Sequence, residues 1–275
     1  MRSLVSVVVP VLNGMPYLAI TIASILSQTH RNLDIVLSDG GSTDGSLEYL
    51  STIDDSRVRL MSIPAGAGME ANWTAATQAA NGEFIKAMSQ DDLIDSDLIE
   101  RQLALLRSNP EASLATARRH IIDSRGRLLF RNRGCSGLRE GVNSKAEVLH
   151  SCYCKGTNVI GEPFIVLFRR DALLSTMPWS SPELLLLDLM QYEKVLALGS
   201  AVVDKRAGGR FRVSASSAST ALADRQMADF RSWQARYAAE SQLSRWDRLR
   251  GHVGSWSQAS LRRLTYRVLK IRGGF

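Results

Sequence analysis

Apolar positions in the first ninety residues follow two rhythms. Leu4-Val9 is a β-branched run ended by Pro10, and Leu33-Leu37, Val58-Met61 and Phe84-Met88 are further short apolar runs of strand length. Between them, apolar residues recur at helical spacing through Tyr17-Leu26, Leu47-Leu50 and Trp73-Ala80. Alternation of this kind predicts an α/β domain, a mostly parallel sheet flanked by helices. Ligands of such sheets bind beyond the carboxyl ends of the strands. Three loops lie there: Pro10-Val11-Leu12-Asn13-Gly14, Asp39-Gly40-Gly41-Ser42-Thr43-Asp44-Gly45 and Ser89-Gln90-Asp91-Asp92.

Taken singly, each loop has a plain reading. A Gly/Ser/Asp cluster is common turn chemistry, and Asp91-Asp92 suits the acidic approach to a helix over Asp95-Arg107. Taken together, they put backbone and an acid, small residues that allow close approach, and paired carboxylates on one sheet edge. Hard divalent cations accept one or two carboxylates and keep waters and phosphate oxygens. The constellation suits a metal-bound diphosphate.

Four stretches carry a family resemblance: Ser6-Val-Val-Val-Pro-Val-Leu-Asn13, Gln28-Thr-His-Arg-Asn-Leu-Asp34, Val36-Leu-Ser-Asp-Gly-Gly-Ser-Thr-Asp-Gly45 and Ala80-Asn-Gly-Glu-Phe-Ile-Lys-Ala-Met-Ser-Gln-Asp-Asp92. In order and spacing they resemble the nucleotide-sugar-binding half of a family 2 glycosyltransferase of the Rossmann-like GT-A fold. The resemblance implies that Pro10, Val11, Leu12 and Asn13 pack the base and ribose, that Asp39 bonds the base, and that Gly40 and Gly41 border it. It implies that Asp91 meets ribose or metal and that Asp92 coordinates Mn²⁺ or Mg²⁺ on the diphosphate. Four positions depart from the common pattern. Gly40 replaces a second acid, Ser89 replaces the first acid of Asp-x-Asp-Asp, Trp73 stands where many relatives carry an Arg, and Ser214 stands where a His is common. The last change leaves Arg210 or Arg212 for phosphate.

The second half should hold the acceptor and the base. Gly161-Glu-Pro-Phe-Ile-Val-Leu-Phe-Arg-Arg170 reads as a core strand and also resembles the strand beside the acceptor site in relatives. Ser181-Pro182 predicts a helix start, with the helix running to about Leu198. Asp188 lies at the margin of the apolar face Leu185, Leu189, Tyr192 and Leu196, so desolvation should raise its pKa, as suits a general base. It also stands where inverting members carry the catalytic base. The structural alternative is a helix Asp paired with Lys194 or Arg206.

Composition adds a restriction. The 275 residues carry a net charge of +7, yet residues 242–275 alone hold eight basic side chains against one acid, so the body is neutral. Ala221-Leu243 predicts a long helix, and after a break at Gly251-Gly254 the residues Leu261, Leu264, Val268 and Ile271 recur at helical spacing with Arg262, Arg263, Arg267 and Lys270 near the other face. With Trp246 and Trp256 upstream, residues 256–275 suit an anionic membrane surface; a helix packed back on the domain with a solvated basic face is the alternative. The expected division is 1–110 for the donor, 111–220 for the acceptor and base, and 221–275 for a basic helical extension.

The remaining signals are negative. Cys135, Cys152 and Cys154 form no paired zinc motif and should be free thiols. The four histidines show no ligand spacing. No cleavable leader and no apolar run of ~18 residues is present, which predicts a cytoplasmic protein compatible with a peripheral position on the inner face of the plasma membrane. The expected partners are a nucleotide-diphosphate sugar and a saccharide or lipid-linked saccharide acceptor. A nucleotidyltransferase is disfavoured because Val9-Gly14 lacks a Gly-rich phosphate grip. A basic nucleic-acid-binding protein is disfavoured by the neutral body and the lack of an aromatic platform.

Overall fold

The computed structural model describes residues 3–183, 186–214 and 223–271. Leu185 of the expected apolar face and Ala221 of the expected long helix lie outside the described residues, as do the side chains of Val268, Lys270 and Ile271.

Strand β1 (Val5–Val11) is buried along its whole length and is flanked in parallel by β2 (Leu33–Asp39) and β4 (Phe84–Ala87), with β3 (Val58–Ser62) outside β2. The crossovers carry helices α1 (Leu18–Leu26), α2 (Ser46–Ser51) and α3 (Met69–Gln78). Helices on the sheet explain why β1 and β2 read as unbroken buried runs rather than alternating ones. Pro10 falls inside β1 instead of ending it. Val8 accepts from Met88 N, so Pro10, two residues on, faces the same side, where β4 has already ended at Ala87. Its missing N–H therefore breaks no ladder bond.

The second half contains β5 (Leu93–Ile94), α4 (Leu98–Ser108), β6 (Ala112–Ile122), β7 (Leu128–Arg133), β8 (Gly141–Asn143), α5 (Lys145–Lys155), a 3₁₀ turn at Pro163–Ile165, β9 (Val166–Arg169), α6 (Arg170–Leu174), α7 (Leu187–Val195) and β10 (Ser200–Arg212). One ten-stranded sheet has the order β3-β2-β1-β4-β9-β6-β10-β5, with β7 on β6 and β8 on β10. The parallel part ends at β4: β9 is antiparallel to both β4 and β6, while β6 and β10 are parallel. The chain lays β2 and β3 on one side of β1 and β4 on the other, so the crevice between β1 and β4 is the topological switch point.

Several boundaries differ from the sequence reading. Asp91 and Asp92 are not helical; β5 follows them and pairs antiparallel with β10 through Leu93↔Arg210 and Ile94↔Gly209, which fixes the acids in a loop. Helix α7 starts at Leu187, not Ser181, because the preceding segment is anchored to α3. Trp179 Nε1 donates to Thr77 Oγ1 (2.9 Å), and Ser181 N donates to Glu70 Oε1 (3.0 Å).

Two helices follow, α8 (Ala223–Glu240) and α9 (Arg245–Ile271). The expected break at Gly251-Gly254 does not occur. A Cβ on Gly254 would stand 2.4 Å from the Cys154 carbonyl oxygen, and one on Gly251 would stand 2.5 Å from the Tyr153 ring. The glycines let α9 cross α5 at backbone contact instead of interrupting the helix. Gln234 of α8 pins the crossing, donating to Tyr153 O (2.8 Å) and Gly251 O (3.1 Å) and accepting from Ser255 Oγ (2.7 Å). The three cysteines are free. No described helix is long and apolar enough to cross a membrane.

Candidate active site at the strand crevice

The loops after β1 and β4 meet at the switch point. Gln90 joins them: its Oε1 accepts from Leu12 N (2.8 Å) and its Nε2 donates to Leu12 O (3.0 Å). Asn13 has left-handed backbone (φ 53°); its N–H donates to Ser42 Oγ (2.9 Å) and its Oδ1 accepts from Thr43 N (2.8 Å). Gly14 N donates to Ser46 Oγ, and Met15 N donates to Asp44 Oδ2 (2.8 Å). Burial opposes ionisation of Asp44, yet bonds from Ser46 and Met15 hold its carboxyl below the usual range. The Ser42-Thr43-Asp44 stretch is thus a brace for the loop after β1 as well as a turn.

Asp39 is buried and accepts through Oδ2 from Gly41 N (2.9 Å) and Ser42 N (3.1 Å). Its Oδ1 is buried without a hydrogen-bond partner among the described residues. Asn72 of α3, which the sequence reading missed, donates to Val11 O (3.1 Å) and Ser38 O (3.2 Å) and ties the ends of β1 and β2 together. A Cβ on Gly40 would lie 3.0 Å from the Asn72 amide nitrogen and 3.3 Å from Val11 O. The glycine at position 40 therefore gives Asn72 its place.

The acidic pair sits across the crevice. Asp92 is fully buried; its Oδ1 accepts from Arg212 N (2.9 Å), and its Oδ2 has no partner among the described residues. Burial, then the neighbouring Asp91, raise the Asp92 pKa well above the usual carboxylate range, and burial pushes Asp91 up to about 6. Two desolvated carboxylates with a free oxygen fit a hard divalent cation, which would relieve the repulsion between them. His150, Cys154 and Asp247, a cluster of potential metal ligands where α5 meets α9, line no part of the crevice.

Arg212 occupies a different position from the one expected. Its guanidinium donates to the backbone carbonyls of Asp91 (3.0 Å), Asp123 and Ser124 (3.3 Å each) and lies 4.4 Å from the Tyr17 ring centroid. The three carbonyls and the ring hold the guanidinium beside the acidic pair, where Arg212 orients Asp91 and Asp92 and is not among the residues that line the cavity. Arg210 is paired with Asp95 at 3.0 Å.

Asp188 is the second residue of α7. Its Oδ1 accepts from Leu189 N (2.7 Å) and its Oδ2 from Asn158 Nδ2 (2.8 Å). The helix N-terminus and these bonds favour the carboxylate, but burial outweighs them and the nearby Glu162 adds to it, pushing the pKa up to about 7. Neither suggested structural partner reaches it: Lys194 bonds Ser180 (3.2 Å) and Arg206 bonds Asp97 (3.2 Å). Asn158 and the buried Arg119–Glu162 ion pair, in which Arg119 also donates to Glu162 Oε1 (2.7 Å), complete this corner. The sequence reading missed all three. An ion pair split between β6 and a loop 43 residues on leaves no local signal in the sequence.

A cavity of about 760 Å³ joins these parts. Pro10, Val11, Leu12, Asn13, Gly40, Asp91, Asp92 and Asp188 all line it, whereas Asp39, Gly41 and Arg212 stand behind its wall. Trp73 lines it while stacked at a tilt on Trp179, with centroids 5.2 Å apart. Phe230 of α8 and Arg262 of α9 also line it, so the C-terminal helices take part in the site.

Comparison with known proteins agrees with this geometry. An uncharacterized glycosyltransferase of Haemophilus influenzae is 36% identical over 108 residues, which are 38% of this chain and 43% of that protein. The chain thus matches less than half the length of that relative. The structure of S. aureus TarS 1-349 in complex with UDP-GlcNAc superposes with a TM-score of 0.65 at 15% identity, covering 90% of this chain and 69% of the other. The mannosyltransferase PcManGT from Pyrobaculum calidifontis, in complex with GDP-Man and Mn²⁺, gives 0.60 at 13% identity, covering 98% and 81%. At those identities the likeness establishes the GT-A fold. The family profile for glycosyl transferase family 2 matches residues 6–174, from the first strand past the Asp91-Asp92 pair to α6, and the chain belongs to that family.

Proposed function

We infer that this protein transfers a sugar from a nucleotide-diphosphate donor to an acceptor hydroxyl with inversion. The observation that carries the reading is that Asp188, with its carboxyl raised to about 7, lines the same cavity as the Asp91-Asp92 pair and the Pro10-Asn13 loop. The donor complexes of the two structural neighbours support a nucleotide-sugar ligand.

In this reading residues 1–110 hold the donor, with Pro10, Val11, Leu12 and Asn13 against base and ribose and Asp39, behind the cavity wall, fixing the Gly41 and Ser42 backbone next to them. Asp91 and Asp92 hold Mn²⁺ or Mg²⁺, which when bound supplies Lewis-acid neutralisation of the diphosphate. Residues 111–220 orient the acceptor. Asn158 holds Asp188 so that its carboxylate takes the proton from the acceptor hydroxyl. The acceptor oxygen bonds to the anomeric carbon as the bond from that carbon to phosphate oxygen breaks, and the nucleoside diphosphate leaves with the electron pair. The acceptor is a saccharide or lipid-linked saccharide of envelope or polysaccharide assembly, met by a cytoplasmic enzyme.

The test is release of nucleoside diphosphate from a panel of UDP-, GDP- and dTDP-sugars with Mn²⁺ or Mg²⁺, with water as the default acceptor. Slow release from one donor class, reduced by Asp188→Asn, is expected. No release from any donor, with membrane extract added as acceptor source, would contradict the reading.

A further inference from the structure

Helix α9 is turned inside out relative to an ordinary surface helix. At 3.6 residues per turn, Gly251, Gly254, Ser255, Gln258, Ala259 and Arg262 share the face toward the protein, where Gly251, Ser255 and Ala259 are buried. The large apolar side chains face away: Trp246 is 72% exposed, Leu249 52%, Val253 54%, Trp256 63% and Leu264 61%. These five form one stripe along the helix, and at 1.5 Å per residue it runs for about 27 Å. Arg245 and Arg263, both exposed, flank it on one side and exposed Arg250 on the other, and exposed Arg267 stands just beyond Leu264 on the line of the stripe. The alternative raised from the sequence, a helix packed back on the domain with only a basic face in solvent, is half right. The helix does pack back, but by its small residues, and the apolar face is left outside.

We propose that this outer face of α9, from Trp246 to Leu264, seats on an anionic lipid bilayer. Charge decides the occupant. A second copy of the chain would bring a like-charged arginine border against this one, whereas anionic headgroups match it while the tryptophans and leucines enter the interface. The placement has a consequence for the site. Arg262, on the opposite face of the same helix, lines the cavity, so the cavity lies about one helix diameter, ~10 Å, from the lipid plane. A lipid-linked acceptor is thereby delivered to Asp188 with its saccharide at the right height. The identity of what is delivered rests on the glycosyl-transfer reading; the docking does not.

Flotation with vesicles tests it. The full chain binds vesicles of phosphatidylglycerol and phosphatidylcholine in a one-to-two ratio and releases as salt rises. Binding to pure phosphatidylcholine, or by the Trp246→Glu/Trp256→Glu or Arg245→Glu/Arg263→Glu variants, is weaker by roughly tenfold or more. All these residues are exposed, so circular dichroism and thermal shifts with UDP or GDP plus Mn²⁺ stay as in the wild type. Equal vesicle binding by the variants, or none by the wild type, overturns the proposal. So does a wild-type dimer in sedimentation that Trp246→Glu/Trp256→Glu splits, since a second copy would then cover the face. Lost nucleotide binding with vesicle binding intact would count against the catalytic reading alone.

Discussion

Asp188 at about 7 and an ordinary aspartate at 3.8 place the rise of activity at different pH. A base must be deprotonated to act, so the rate should be low in acid, rise with pH through about 7 and then level off. Asp188→Asn keeps the shape of the side chain and its contact with Asn158 but cannot take the proton; kcat should fall by roughly 10²–10⁴ with little change in donor KM. Near-normal kcat would remove Asp188 as the base. Asn158 donates to the ionised carboxylate and so lowers the pKa; Asn158→Ala should move the rising limb to higher pH. An unmoved limb with a uniformly lower rate would mean that Asn158 serves the fold and not the base.

At the scale of elements, glycines carry the sharpest contrast. Gly→Ala inside an uncrowded helix stabilises by up to about 1 kcal/mol. Gly254→Ala would instead press a methyl against the Cys154 and Lys155 backbone, and overpacking of that kind costs about 1–3 kcal/mol. The thermal midpoint should fall; a rise would mean that α9 does not cross α5 this closely. Asp44→Ala removes acceptors for Met15 N, Ser46 N and Ser46 Oγ. It should loosen the loop after β1 and weaken nucleotide binding measured by titration calorimetry, whereas unchanged affinity would make the brace irrelevant to the site. These cases also show what a sequence conveys. The strands β1, β2 and β4 were legible because buried parallel strands are mostly continuous apolar runs, and Asp91, Asp92 and Asp188 because acids beside apolar runs stand out. Asn72, Arg119, Asn158 and Glu162 were not, since their roles depend on partners distant in the chain. Gly251 and Gly254 have the same letters in a break and in a close crossing; only the neighbour at 2.4–2.5 Å tells them apart.

For the whole molecule, the separation of charge from chemistry organises the account. The neutral body builds the crevice, and α9 carries exposed arginines on its outer side while Arg262 on its inner face lines the cavity. Deleting residues 256–275 would therefore remove Arg262 from the cavity wall along with part of the exposed apolar stripe, so single outward-facing substitutions separate the two roles where truncation merges them. The central claim is that the acidic pair and the loop after β1 form a metal-dependent nucleotide-diphosphate site. It is tested most directly by the thermal shift of the wild type and of Asp92→Ala with UDP or GDP, each with and without Mn²⁺. Saturating ligand at ~100 Kd stabilises a folded protein by about 2.7 kcal/mol, a readily measured rise in midpoint. That rise is expected for one nucleotide class with Mn²⁺ in the wild type and in Asp188→Asn, and its loss in Asp92→Ala. No stabilisation of the wild type by either nucleotide, or a Mn²⁺-dependent rise that survives in Asp92→Ala, would contradict it.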